Sequence, residues 1–76
     1  MRPLYEIARD VAKNWPKVNY AAKPYLDAMR ELDTLDDPYL YDSGRSVVAR
    51  FISNAGTWKG PEAKRVKDEL KAMLKG

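Results

Sequence analysis

The segment Ser43-Gly44-Arg45-Ser46-Val47-Val48-Ala49-Arg50-Phe51-Ile52-Ser53-Asn54-Ala55 sets its apolar side chains at the period of an α-helix. Val47, Val48, Phe51, Ile52 and Ala55 fall at i, i+1, i+4, i+5 and i+8, so that each has a partner three or four residues away, a pattern no strand could bury on one face. Asp42 or Ser43 supplies an N-cap, a short side-chain oxygen able to accept a free amide of the first turn. Asn54 to Gly56 ends the helix, or one further turn carries it through Trp58. No other segment is as apolar, so this helix is predicted to be central, with the others packed around it.

Reading toward the carboxyl terminus, Gly60-Pro61-Glu62 marks a fresh start. It combines a flexible cap, a proline whose missing N–H costs nothing in the first turn, and an acid favoured by the helix dipole. Ala63, Val66, Leu70, Met73 and Leu74 form the inner face of the helix that follows. The connection before it is short, which predicts that the last two helices pack as antiparallel or crossed neighbours.

Reading toward the amino terminus, Thr34 to Tyr41 is the longest non-helical connection. Before it, Ala22, Tyr25, Leu26, Met29 and Leu32 form an apolar stripe. Pro24 must lie in a first turn, so this helix is predicted to start between Tyr20 and Lys23 and to end around Asp33. The first helix is predicted from Pro3 to Trp15, with Leu4, Ile7, Ala8, Val11 and Trp15 on one face and Pro16 as its stop. The expectation is therefore an all-α, four-helix bundle-like fold forming one domain over residues 1–76.

The chain has 76 residues and contains no histidine and no cysteine. That removes the side chain that titrates near neutral pH, the strongest thiol nucleophile and the two best zinc ligands. The serines and threonines are Thr34, Ser43, Ser46, Ser53 and Thr57. None has a histidine base or a nucleophile-elbow context, and Ser43 reads as a helix cap. The expectation is a protein that is not an enzyme and uses no cofactor. The acidic cluster Asp33, Asp36, Asp37 and Asp42 is no calcium loop, because Pro38 and Gly44 fall where a mid-loop glycine and a closing glutamate belong. No metal site is expected.

Net charge is +3, and it is unevenly spread. Basic residues outnumber acidic ones five to two in 1–24 and six to three in 57–76, while acids lead six to three in 25–56. No apolar run approaches the ~20 residues needed to cross a bilayer. Met1 to Glu6 has no apolar core of a signal peptide. A soluble protein of the cytoplasm, with no membrane partner, is the expectation.

Two surfaces remain for binding. The connection carries Tyr39, Leu40 and Tyr41, where a loop offers aromatic side chains few places to be buried. Tyrosine anchors of this kind suit a protein interface, with Asp36, Asp37 and Arg45 as flanking charges. Trp15, Tyr25 and Trp58, by contrast, are predicted to fill the core. The second surface is Lys64, Lys67, Lys71 and Lys75 on the outer face of the last helix, able to follow nucleic-acid phosphates. Asp68 and Glu69 interrupt it and are expected to pair with Lys64 and Arg65 four residues earlier. A helix-turn-helix reading of the second and third helices fails, because the loop between them is too long and is acidic where phosphates would lie. A homo-oligomer formed through an unburied helical face is a third possibility.

The run Asn19-Tyr20-Ala21-Ala22-Lys23-Pro24-Tyr25-Leu26-Asp27-Ala28-Met29 precedes Tyr41-Asp42-Ser43-Gly44-Arg45-Ser46-Val47-Val48. Then come Phe51-Ile52-Ser53-Asn54-Ala55 and Trp58-Lys59-Gly60, ahead of a Lys/Glu-rich helix. Over nearly its whole length this order resembles short accessory proteins of bacteriophages and prophages. The resemblance implies work in the bacterial host cytoplasm by binding a host protein, and it transfers no site residue.

Overall fold

A computed structural model of the chain describes residues 2–40 and 42–75. The protein is mostly helical. Helix α1 spans Leu4–Asn14, α2 spans Lys23–Met29, α3 spans Gly44–Ser53 and α4 spans Pro61–Lys75. Between α2 and α3, β1 (Pro38–Tyr39) and β2 (Asp42–Ser43) pair antiparallel, with Pro38 opposite Ser43 and Tyr39 opposite Asp42. The fold is therefore not purely all-α. Two-residue strands cannot be seen in a hydrophobic pattern, because a period of two needs more residues than this to declare itself.

The predicted faces are largely the buried ones, with Tyr25, Ile52 and Leu74 only partly buried at their edges. Leu4, Ile7, Ala8 and Val11 of α1, Val47, Val48 and Phe51 of α3, and Ala63, Val66, Leu70 and Met73 of α4 meet in one core. Ser43 caps α3 by accepting from the Ser46 amide at 3.3 Å, whereas Asp42 pairs with Arg50 at 3.0 Å. One end of the core is aromatic. Trp15 and Trp58 stack with centroids 5.3 Å apart, and Phe51 meets Trp15 edge-on at 6.4 Å.

Helix α3 packs on α2, α4 and β2, as a central element would, while α1 packs on α2 and α4 and makes little direct contact with α3. Helix α2 stops earlier than its pattern predicts. Regular structure ends at Met29, and tight turns (Glu31 N–H to Ala28 carbonyl, Leu32 N–H to Met29 carbonyl) carry the chain to Leu32. The reason lies in α1, whose N-cap is Pro3 and has no capping side chain. Its free amides at Leu4 and Tyr5 instead donate to the carbonyls of Asp33 and Leu32, both at 2.9 Å. The tail of α2 leaves helical geometry and thereby caps α1.

Candidate functional site

The connection between α2 and α3 is built from its own side chains. The Asp37 carboxylate accepts from the amides of Asp33 (2.9 Å) and Thr34 (3.2 Å) and from the Thr34 hydroxyl (3.0 Å). The Asp33 amide, then the Thr34 groups, hold this carboxyl below its usual range. The Asp37 carbonyl accepts from the Gly44 amide and the Leu35 carbonyl from the Arg45 amide, each at 2.8 Å, which clamps the loop onto the start of α3. Asp37 therefore organises the turn, and Asp36 stands exposed beside it.

From this base the β1–β2 hairpin projects. Tyr39 is half-buried against the core, and its hydroxyl reaches Glu31 Oε2 at 3.5 Å. Leu40 behaves oppositely: it is 84 % exposed and sits at φ 55°. Tyr41, the third member of the predicted anchor set, lies outside the described residues. Arg45 extends from the first turn of α3 to the far end of α4, where Nη1 donates to the Leu74 carbonyl at 2.8 Å. Asp36, Asp37 and Arg45 share one wall system with Arg2 and Met73, around an open cleft of about 640 Å³. The predicted patch thus divides. Leu40 forms an exposed tip, Tyr39 supports it from the core side, and the three charged residues border a neighbouring cleft.

The lysines of α4 also differ from one another. Lys64 pairs with Asp68 at 2.7 Å, as its spacing predicts. Glu69 does not pair with Arg65. It turns to Arg2, while Arg65 contacts Glu62 and Asp10. Lys67 is half-buried, and its Nζ donates to the carbonyls of Ala55 (2.7 Å) and Trp58 (2.5 Å), closing the end of α3. Burial, then the charges of Lys59 and Lys71, push the Lys67 pKa down. Lys71 and Lys75 are exposed. The sequence reading missed Lys59 because it lies in the loop and not on the helical stripe. It missed the left-handed backbone of Leu40 because leucine seldom adopts it.

No protein-family model, curated protein or solved structure matches this chain. Among the described residues, no helix is long and apolar enough to cross a membrane.

Proposed function

We propose that this protein is a non-enzymatic binding module that docks on a partner protein through the tip of the β1–β2 hairpin. The observation that carries the reading is Leu40. A left-handed conformation costs a non-glycine residue roughly 1–2 kcal/mol, and glycine or asparagine would adopt it more cheaply. Leu40 accepts that cost and gains no internal burial in return. Strain combined with apolar exposure at a turn has a use when the side chain enters a pocket on another molecule.

In this reading Leu40 is the anchor and Tyr39 is the half-buried support that sets its height. Asp36 and Arg45 are rim charges that orient the encounter. The action is occlusion of a partner's surface. A bacterial host factor in the cytoplasm is the target class in keeping with the phage-like order of segments.

The test is Leu40→Asn, which suits the backbone and removes the anchor. Thermal stability should stay level or rise by up to about 1 kcal/mol. A protein captured stoichiometrically from nuclease-treated bacterial lysate by the wild type should be lost. Equal capture by both forms would sink the reading. Tyr39→Ala is a poorer test, since it also removes core packing.

A further inference from the structure

The loop joining α3 to α4 folds over one stripe of α4, and lysines wall the concavity between them. Gly56, Lys59 and Gly60 come from the loop, while Lys64, Lys67 and Lys71 come from the helix; together they border a space of about 330 Å³. The helical members are three and four residues apart and so fall on one line. Lys67 is fixed in place without any ligand, because two of its three N–H groups are held by the Ala55 and Trp58 carbonyls. Lys59 and Lys71 make no ion pair or side-chain hydrogen bond among the described residues. The one carboxylate on this wall, Asp68, is engaged by Lys64.

Lys59, Lys67 and Lys71 therefore share a concavity whose one carboxylate, Asp68, is hydrogen-bonded to Lys64 and feels the charge of Lys71 only at longer range. The downward push on the Lys67 pKa is a physical trace of that crowding, after burial itself. Elsewhere on α4 the molecule treats cations differently. Arg65 touches two carboxylates, Glu62 and Asp10, and Arg2 touches Glu69 and Asp10. Charge balance is thus built where α1 meets α4 and is incomplete beneath the α3–α4 loop, where Asp68 is the one carboxylate among four bordering lysines.

We propose that the Lys59–Lys67–Lys71 pocket binds a phosphate monoester. Three lysines bordering one concavity, Lys67 keeping one N–H not held by the Ala55 and Trp58 carbonyls, match a group carrying nearly two negative charges better than they match the single charge of a diester. The arrangement is a pocket and not a track: Lys75 continues the sequence stripe yet does not border the concavity. This distinguishes the site from a surface that follows a nucleic-acid backbone. The monoester has two possible sources, a small phosphorylated metabolite or the 5′-phosphate end of an oligonucleotide.

The experiment is a titration of the ¹⁵N-labelled protein followed by amide chemical shifts at low ionic strength. Inorganic phosphate is the first probe. A 5′-phosphorylated oligothymidine and its 5′-hydroxyl twin follow. The amides of Gly56, Lys59 and Gly60 should move saturably with phosphate, with Kd of about 1 mM or below. Lys59→Gln and Lys71→Gln break no internal hydrogen bond, so each should keep the fold while weakening phosphate binding by about tenfold. Lys75→Gln should change neither.

Tighter binding of the phosphorylated oligonucleotide than of its twin supports the proposal with a strand end as source. Binding of phosphate with neither oligonucleotide supports it with a small metabolite. The proposal is overturned if shifts fail to saturate by about 50 mM phosphate, or if Lys75→Gln weakens binding as much as Lys71→Gln, since both mark diffuse screening. Equal binding of the two oligonucleotides, with weak phosphate binding, would also overturn it, because that is recognition of diesters.

Discussion

A Cβ on Gly44 would stand 2.5 Å from the Thr34 carbonyl oxygen and 3.1 Å from both the Cα and the carbonyl oxygen of Leu35. These are backbone atoms, which cannot swing aside as a side chain would, and the same segment supplies the Leu35 carbonyl that holds the Arg45 amide. Gly44→Ala must therefore push the loop off the start of α3. The expected loss is about 2 kcal/mol, within the range for overpacked sites, or a fall of roughly 8–16 °C in Tm for a domain of this size. Gly56→Ala is the matched control. Nothing lies within 4 Å of its added methyl, so it should leave Tm unchanged or raise it by a few degrees. Thermal unfolding followed by circular dichroism separates the two, and equal effects would refute the close-approach argument. In the sequence Ser43 is recognisable as a cap because capping is local. The demand on Gly44 is not recognisable, since it is imposed by residues nine and ten positions earlier.

At the level of elements, what the sequence displayed was each helix's inner face, because burial selects apolar residues at the period of that helix. Leu4, Ile7, Val11 and Val66, Leu70, Met73 declare themselves in this way. Boundaries governed by another element were hidden. Leu32 continues the apolar stripe of α2 and is buried, yet it lies beyond the end of the helix, because its carbonyl caps α1. That cap has a measurable consequence. First-turn amides of a helix ordinarily lack intrahelical acceptors and exchange quickly with solvent. Here the Leu4 and Tyr5 amides are bonded across to Asp33 and Leu32. Native-state hydrogen exchange should find both protected about as well as the interior amides of α1, and should find them released together with the residue 30–33 turn. Rapid exchange at Leu4 and Tyr5 would show that the two elements are not coupled. The binding surfaces were legible to the same partial extent. Leu40 and the α4 lysines were visible as residue types, but what distinguishes them is backbone geometry at Leu40 and, for Lys67, the carbonyls of a different element.

Across the whole molecule, five charged side chains link the start of the chain to its last helix. Arg2 forks onto Glu69 (Nη2 to Oε1 2.6 Å, Nε to Oε2 3.0 Å) and reaches Asp10 at 3.1 Å. Arg65 Nη2 donates to the same Asp10 oxygen, Oδ2, at 3.0 Å and also holds Glu62. Partners 55 and 67 residues apart have no shared periodicity, so no reading of helical spacing could have paired them. Asp10 is the centre of this chain of charges, with its side chain only 18 % exposed. Burial pushes its carboxyl upward, but the hydrogen bonds from Arg65 and Arg2 outweigh that and hold it below the usual carboxylate range. A depressed folded-state pKa gives stability that is complete above the unfolded value, about 3.9, and drains away as pH falls through the folded value. At neutral pH Asp10→Asn should cost about 1 kcal/mol, since Glu69 and Glu62 still serve the two arginines and Arg65 is half exposed. As the medium is acidified below about pH 4, wild type forfeits this contribution and the variant has none to lose, so the gap between them should close. Asp37 and Asp68 are held low by their own donors in both chains and cancel in the difference. Urea unfolding midpoints at about pH 7, 4 and 2.5 give the comparison directly. A gap that persists undiminished at the lowest pH would mean that Asp10 acts through packing, and that α1 and α4 are held together by their apolar faces alone.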